Sequence, residues 1–268
     1  MDWVMDKSVT THRLATVRIM TSDLYVINDY GLAKQLFGKE EFSGRHITQF
    51  TIENKCFDGK PYGIIGTEGS QWVNQRRFGL RTLKDFGFGK KSLEESINIE
   101  IEETVKKLLL PTDGEDFHLG TDFNIPIINI LWQLVAGTRF SEKNSEDQKI
   151  LESVNTMAMC HMKMTLVPLR ILKRFPKLTK YEENVEIYSF IRRFLSKQIA
   201  DHNQTLDNAN PRDFIDSYLT EMNKNEDFTE PDLINCMLDF ILAGTETSST
   251  TLKWIVMYLT LYQEVQDK

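Results

Sequence analysis

The sequence contains little cysteine, proline or glycine, and positive charge is not in excess. Its 268 residues include 3 cysteines, 7 prolines and 14 glycines, and the formal net charge is −7. Cys56, Cys160 and Cys236 lie far apart and form no Cys-x-x-Cys pair, so neither a zinc ribbon nor a disulfide framework is expected. We expect reduced, buried thiols in a protein that faces the cytosol. The acidic balance argues against a general nucleic-acid binder, which usually presents a basic face.

A long uncharged apolar run is also missing. Residues 1–11 contain no apolar core, so they are predicted to be neither a signal peptide nor a membrane anchor. The most apolar long stretch, 233–262, contains Asp239, Glu246 and Lys253. Each of these charges would cost about 2.5–3.5 kcal/mol at the centre of a bilayer. This stretch is therefore predicted to be a buried helix and not a membrane span.

The N-terminal region has the pattern of a small β element. Residues 14–20 and 24–27 are rich in strand-forming side chains, and 21–23 are predicted to form the turn between them. A short helix is predicted over Tyr30–Phe37, followed by a loop over 38–62. No internal repeat and no proline- or glycine-rich linker divides the chain, so a single domain is expected.

Helical periodicity dominates the rest of the chain. Ser92 and Glu95 have the spacing of a capping box, and Pro111 is expected to end the helix that follows them. Further helices are predicted over 122–136, 145–164 and 182–202. Apolar residues recur at helical spacing in two helices. The helix that begins near Ser92 contains Ile97, Ile101, Val105 and Leu108, and the helix over 182–202 contains Ile187, Ile191, Leu195 and Ile199.

Two helix starts are predicted near the C-terminus. Asn210 before Pro211 is expected to cap one helix, and Thr229 is expected to cap a second, with Asp232 three residues on. The second helix is long and apolar nearly all round, as in helices that run through the middle of a domain. The predicted fold is mainly α with a small N-terminal β element: one domain, 1–268, with a β-hairpin region at 14–27, a helical region at 28–228 and a long central helix at 229–262.

The centre of the long helix has an unusual composition. Its residues 243–251 read Ala-Gly-Thr-Glu-Thr-Ser-Ser-Thr-Thr. A glycine costs about 1 kcal/mol inside a helix, and serine and threonine can bond back to a carbonyl and bend it. A carboxylate such as Glu246 is costly in an apolar helix unless it is paired or functional. Strain concentrated at one place often marks a functional site, although a solvated patch where the helix reaches the surface is the alternative.

A second segment carries two hydrogen-bond donors on one helix face. Trp72 and Arg76 are four residues apart, and an indole N–H and a guanidinium are both donors without acceptors. Such a pair suits a carboxylate ligand; a surface cation–π pair is the alternative. The run Phe-Gly-Phe-Gly-Lys-Lys-Ser-Leu-Glu follows at 86–94.

Together these motifs resemble the cytochrome P450 family of haem-thiolate monooxygenases. Residues 243–254 resemble the family's central helix, and Trp72 with Arg76 resembles the helix that binds a haem propionate. The 86–94 run is typical of the microsomal, family-2-like branch. Segments 40–45 and 210–216 and the position of Lys60 match in the same order.

The resemblance implies roles for individual residues. Glu246 and Thr247 correspond to the acid–alcohol pair that delivers protons for cleavage of the O–O bond of dioxygen. Trp72 and Arg76 would hold haem propionates, and Lys60 would also touch one. The cofactor-binding set is completed by two residues of the central helix: Gly244, where a distortion makes room for oxygen, and Ala243, which would face substrate beside the 38–62 loop.

The resemblance also implies an activity, cofactors and partners. The expected reaction is hydroxylation or epoxidation of a lipophilic organic substrate such as a steroid, fatty acid, terpenoid or xenobiotic. Haem b is the expected cofactor, with electrons from NADPH arriving through NADPH-cytochrome P450 reductase and cytochrome b5. The full-length protein is expected on the cytoplasmic face of the endoplasmic reticulum membrane. No nucleic-acid partner is expected.

The family's iron-ligand motif, Phe-x-x-Gly-x-Arg-x-Cys-x-Gly, does not occur in these 268 residues, and neither does its Glu-x-x-Arg pair. No residue present is therefore predicted as a metal ligand. Because the thiolate is essential to the chemistry, we expect a fragment that covers about half of a family member and is inactive by itself. Two other readings stay open: a truncated form that only binds hydrophobic ligands or a partner, and a chain that does not fold stably.

Overall fold

The computed structural model describes residues 11–19, 22–45, 47–55, 58–109, 123–141, 143–165 and 167–268. It divides into two compact units, Met1–His46 and Ile47–Lys268. In the first unit, strand β1 (Leu14–Ile19) pairs antiparallel with β2 (Ser22–Ile27). Ser22 and Asp23 thus belong to the strand and not to the predicted turn, since Asp23 lies opposite Arg18 and binds its Nε at 2.7 Å.

The region predicted as a loop contains two helical elements. Helix α1 (Tyr30–Phe37) has the predicted bounds and is capped by Asp29, but a 3₁₀ turn at Glu40–Phe42 and helix α2 (Gln49–Lys55) follow it. Helix α2 forms because the Thr51 N–H donates to Thr48 Oγ1 at 3.2 Å, and because Phe50 is buried. The prediction of a loop over 38–62 was wrong at these elements.

The second unit is built from helices. Among the residues that the structure describes, ten α-helices follow α2: α3 (Gly69–Asp85), α4 (Glu94–Leu108), α5 (Asn124–Ala136), α6 (Ser145–Thr165), α7 (Leu169–Arg174), α8 (Pro176–Thr179), α9 (Tyr181–Gln204), α10 (Phe214–Met222), α11 (Glu230–Leu261) and α12 (Gln263–Gln266). The prediction of a mainly helical fold with a small β element is confirmed. Among the described residues, no helix combines the length and the apolar character that crossing a membrane requires.

Two predicted helix caps were wrong and one is confirmed. Ser92 lies in a 3₁₀ turn, and α4 begins after it without a side-chain cap. Asn210 donates from Nδ2 to Asp207 at 3.0 Å, and the cap of α10 is Asp213, which accepts from the Asp216 N–H. Thr229 caps α11 as predicted.

The core lies around the first half of α11. Residues 232–239 are all buried, and an aromatic cluster from α3, α10 and the segment before α11 packs edge to face beside them: Phe78, Phe214, Tyr218 and Phe228. The predicted apolar stripe of α9 contributes Ile191, Leu195 and Ile199 to the same core. Helix α11 therefore runs through the interior before it reaches the surface.

Candidate functional site

Helix α11 leaves the core at the candidate catalytic residues. It is unbroken over 32 residues. Beyond residue 239 only one narrow stripe stays buried, at Ile241, Thr245 and Ser249. Glu246 and Thr247, which lie between these stripe residues, are exposed. The two residues predicted to carry protons thus stand on the accessible side of the helix.

The hydroxyl groups around Glu246 bond along the helix. Thr247 Oγ1 donates to the Ala243 carbonyl at 2.7 Å, and Thr251 Oγ1 donates to the Thr247 carbonyl at 2.8 Å. Thr250 Oγ1 donates to the Glu246 carboxylate at 3.2 Å. Glu246 is therefore hydrogen bonded to the threonine one turn later, and not to its neighbour Thr247.

Gly244 lies where α11 packs against Leu131 of α5. A Cβ atom added at Gly244 would lie 2.5 Å from Leu131 Cδ1, so the absent side chain has a packing reason. The next residue, Thr245, is buried, and its hydroxyl has no hydrogen-bond partner within the described ranges. An unsatisfied polar atom thus lies in the middle of the predicted site.

Trp72 and Arg76 share one face of α3, as predicted. The Arg76 guanidinium carbon lies 5.6 Å from the centre of the Trp72 ring, which is the geometry of a cation–π pair. Arg76 is exposed, and no carboxylate of the described residues pairs with it. The pair therefore has the cation–π geometry that was the alternative to a carboxylate site. Its N–H groups could still donate hydrogen bonds to a ligand carboxylate.

Lys60, the third candidate propionate donor, already has a partner. Its Nζ lies 3.8 Å from Asp58 Oδ2, and its side chain is mostly exposed. The same carboxylate accepts the Tyr62 hydroxyl at 3.1 Å. Lys60 would therefore exchange one carboxylate for another if it bound a ligand acid.

Two carboxylates of α11 that sequence reasoning did not assign to the site hold the loop before α3. Asp239 Oδ2 accepts the backbone N–H groups of Ile64 at 2.9 Å and Ile65 at 2.8 Å. Gly63 has a positive φ of 81°, and a Cβ there would lie 2.8 Å from Asp239 Oδ2. Only glycine fits this turn, because the backbone and the carboxylate meet so closely.

Asp232 makes the second set of contacts with the same loop. Its Oδ1 accepts the Gly63 N–H and the Gln71 amide, each at 3.1 Å, and its Oδ2 accepts the Thr229 hydroxyl at 2.8 Å. Burial raises the pKa of the Asp232 carboxyl, although these hydrogen bonds act in the opposite direction. Asp232 and Asp239 are seven residues apart and so share a helix face, which is the signal that could have pointed to them.

A buried polar contact also fixes α3 against its neighbours. Gln75 Oε1 accepts the Tyr218 hydroxyl of α10 at 2.8 Å, and the Cys236 thiol of α11 lies 3.7 Å away. Gln75 precedes Arg76 directly. The helix that carries Trp72 and Arg76 is therefore held to the helix that carries Glu246 at its first turn, through Asp232 and Gln71, and again at its middle.

Comparisons with known proteins agree with these motifs. A family model described as cytochrome P450 matches residues 5–268. Cytochrome P450 2J3 of Rattus norvegicus is 35% identical over an alignment of 255 residues, with 91% of this chain and 49% of that protein covered. Cytochrome P450 2J2 of Homo sapiens is 34% identical over 219 residues, with 78% and 43% covered.

A relative from a second subgroup gives the same result. Cytochrome P450 2C16 of Oryctolagus cuniculus is 32% identical over an alignment of 267 residues, with 94% of this chain and 52% of that protein covered. The chain thus spans about half the length of the curated relatives it matches. The names of all three carry the family number 2, in agreement with the branch inferred from the 86–94 run. From the motifs, the helical fold and these matches together, the chain belongs to the cytochrome P450 family.

Proposed function

We propose that the protein to which these residues belong is a haem-dependent monooxygenase that hydroxylates or epoxidises a lipophilic organic substrate. The observation that carries the proposal is the set of hydrogen bonds that connects α11 to α3 and to the loop before it. Asp232 and Asp239 connect the loop before Trp72 and Arg76 to the helix that exposes Glu246 and Thr247. A donor pair suited to carboxylates and an acid–alcohol pair thus belong to one rigid arrangement.

The residues present fit haem. Trp72 offers an indole N–H, and Arg76 offers a guanidinium with which no described carboxylate pairs. Both groups are hydrogen-bond donors without acceptors, so both suit a propionate carboxylate. Lys60 would join them by leaving Asp58. Bound haem would supply the activation of dioxygen, with electrons from NADPH arriving through a reductase.

The chain's own residues would take up and pass on protons beside the substrate. The Glu246 carboxylate accepts a hydrogen bond from Thr250 and is open to solvent, so it can take up a proton from water and release it. The Thr247 hydroxyl donates to the Ala243 carbonyl and keeps its lone pairs available as acceptors. The methyl group of Ala243 leaves an apolar, uncrowded surface beside them for a substrate.

A basic surface on α3 and the turn after it suits an acidic redox partner. Besides Arg76, five exposed cations of this surface have no ion pair within the described residues: Arg77, Arg81, Lys84, Lys90 and Lys91. Such a concentration is notable in a chain with a net charge of −7, and it would steer an acidic partner into contact. We propose NADPH-cytochrome P450 reductase as that partner, with cytochrome b5 as a second donor.

A second surface suits the endoplasmic reticulum membrane. Helices α7 and α8 and the residue between them expose Ile171, Phe175 and Leu178. Arg170, Arg174 and Lys177, each next to one of these apolar residues in the sequence, are exposed as well. Apolar groups that enter the headgroup region, with cations that meet anionic lipid, are the features of an interfacial segment. We propose that this surface rests on the cytoplasmic leaflet.

The test begins with haem binding by the purified 268-residue chain. We expect the haem absorbance to change on titration, and the joint replacement W72F/R76Q to weaken binding about tenfold or more, because two charge-assisted contacts are lost. R77Q is the matched control, since Arg77 is an exposed arginine one residue on that has no ion pair in the described part of the chain. A chain that unfolds cooperatively but does not respond to haem would favour a plain hydrophobic-ligand binder and contradict the proposal.

The activity itself requires the complete open reading frame that encodes these residues. Expressed in microsomes with the reductase, its product should show the carbon monoxide difference spectrum of a haem thiolate and consume NADPH with a lipophilic substrate. E246Q and T247A should each lower product formation per NADPH consumed. A product that binds haem and substrate but whose coupling is unaffected by both changes would refute the assigned proton-delivery roles.

A further inference from the structure

His202 has a hydrogen-bond acceptor opposite each of its ring nitrogens. It lies near the end of α9, and its side chain is 11% exposed. Nδ1 is 2.7 Å from the Gln198 carbonyl oxygen, and Nε2 is 2.9 Å from Asp213 Oδ2. A neutral imidazole has one N–H and can satisfy only one of these acceptors. Only the protonated ring donates to both.

The groups around His202 balance its charge. Asp213 is 3% exposed and also caps α10 through the Asp216 N–H. Asp216 is bound by Arg212 through two hydrogen bonds, of 2.6 and 2.9 Å. Two carboxylates therefore face two cations. His202, Asp213 and Asp216 are close enough together to suggest a metal site, but both carboxylates already have a cationic partner.

Three helices meet at this cluster. Helix α9 contributes His202, and α10 contributes Asp216 and the capping residue Asp213. Helix α5 ends at Gly137, whose φ is 65° and where an added Cβ would lie 3.1 Å from Asp213 Oδ2. The groups that face the ring are thus one carbonyl of α9, two carboxylates with one arginine at the start of α10, and uncharged backbone of α5.

We infer that His202 is a proton-dependent tie: as an imidazolium it joins the end of α9 to the start of α10, and on losing its proton it releases the connection between them. A neutral ring would leave a lone pair facing either the Asp213 carboxylate or the Gln198 carbonyl in a buried place. Leaving such a buried group unsatisfied is unfavourable. The inference is independent of the proposed monooxygenase activity.

The direction of the pH effect follows from the same contacts. The hydrogen bond to Asp213 raises the pKa of His202 above its usual value, and burial opposes this less strongly. In the unfolded chain the pKa returns to about 6.5. The tie therefore contributes its full stability below about pH 6.5, and that contribution is lost as the pH rises through the higher folded pKa.

The test is an NMR titration of the histidine ring protons of the isotope-labelled 268-residue chain, with the His202 signal assigned through bond correlations to its backbone, so that the assignment does not depend on a variant. We expect His202 to titrate above the usual histidine range. D213N should lower that pKa, since asparagine still caps a helix but carries no charge. A His202 pKa at or below about 6.5, or one that D213N leaves unchanged, would overturn the inference.

Thermal unfolding gives an independent readout. The Tm of the wild type should fall between pH 6 and pH 9, and H202Q should lose most of that fall because it has no titrating group there. H12Q, which removes an exposed histidine of the other unit, should keep the wild-type profile. Identical profiles for H202Q and the wild type would overturn the inference, and the titration of the wild type decides the matter should H202Q fail to fold.

Discussion

The side chain of Leu131 occupies the space in which Gly244 would carry a Cβ atom, which would lie only 2.5 Å from Leu131 Cδ1. Helices α5 and α11 pack here with Leu131 in the space that a side chain at residue 244 would take. A position that the family resemblance links to oxygen binding is thus also a close packing contact between two helices. Substitutions there test both requirements, so stability must be measured alongside any activity.

We predict that G244A destabilises the chain by about 1–3 kcal/mol, the usual cost of overpacking a tight contact. A loss of stability would be informative, because helix propensity alone favours alanine over glycine by about 1 kcal/mol and would make G244A more stable. L131A should remove the clash, so the double variant G244A/L131A should be more stable than the sum of the single effects predicts. Urea unfolding of the four proteins measures this coupling.

The matched control is S248A, an exposed position one turn later on the same helix. Its free energy of unfolding should stay within about 0.5 kcal/mol of the wild type. If G244A were as stable as the wild type, or if the two single effects simply added, the contact with Leu131 would not be what requires glycine.

A second prediction concerns the carboxylate that holds the loop before α3. D239A removes the acceptor of the Ile64 and Ile65 N–H groups. Leaving a buried donor unsatisfied costs about 1–3 kcal/mol; these two donors are only partly buried, so we expect a loss of about 1–2 kcal/mol in total. Hydrogen exchange at these two amides should accelerate more than exchange in the core of α9.

D239N separates geometry from charge in that experiment. Asparagine keeps one acceptor oxygen, so D239N should protect the two amides better than D239A does. Equal protection in D239A and the wild type would mean that the loop is held by other contacts. Faster exchange throughout the protein would show that the substitution unfolds the chain globally and does not act on this loop alone.

Sequence patterns identified helices more reliably than the faces those helices bury. The stripe of α9 is buried as expected, yet on α4 Ile101 and Val105 are exposed and Glu100 is buried. Periodicity reports a helix, but which face finds neighbours depends on residues distant in the chain. Here the decisive residue is Arg139, which lies 39 residues after Glu100 in the sequence. Its Nε donates to the Glu100 carboxylate at 2.6 Å.

The candidate site divides in the same way. Motifs identified Trp72, Arg76, Glu246 and Thr247, since each pair is local in sequence. The contacts that link the two pairs join Asp232 to Gly63, and Asp239 to the two residues after Gly63. Their partners are 169 to 175 residues apart in the sequence. A single sequence shows that a charge sits in an apolar helix, but it does not show which backbone that charge meets.

A third prediction tests the buried pair of α4. R139L leaves Glu100, which is 5% exposed, without its cation, although Asn129 still donates to it at 3.2 Å. We expect a loss of about 2–3 kcal/mol, below the cost of breaking a fully buried pair because the Arg139 side chain is one-third exposed. Chemical unfolding provides the measurement.

The exposed pair Lys106–Glu102 on the same helix is the matched control, with an Nζ–Oε2 distance of 3.8 Å. K106L should change the free energy of unfolding by less than about 0.5 kcal/mol. R139L/E100L should recover much of the loss, since no unpaired buried charge remains. Equal effects of R139L and K106L would mean that burial adds nothing to the Glu100 pair.

The last prediction concerns the surface of α7 and α8. Leu178 is 85% exposed, and Arg174 and Lys177 lie beside it. If this surface enters the headgroup region, the 268-residue chain should bind vesicles that contain phosphatidylserine, and L178D should weaken binding because a charge replaces an inserting apolar group. R174E/K177E should weaken it as well, since each cation near an anionic surface contributes about 1 kcal/mol.

The control must be equally exposed but lie outside the surface of α7 and α8. Tyr30 on α1 is 82% exposed and adjacent to Asp29, which pairs with Arg13, so Y30D should bind the same vesicles as well as the wild type does. Raising the salt concentration should weaken wild-type binding, because screening reduces the attraction of the basic residues. Binding that falls equally in Y30D and L178D would reflect general stickiness of the chain. Binding that requires Leu178 but resists salt would indicate apolar insertion without a role for the cations.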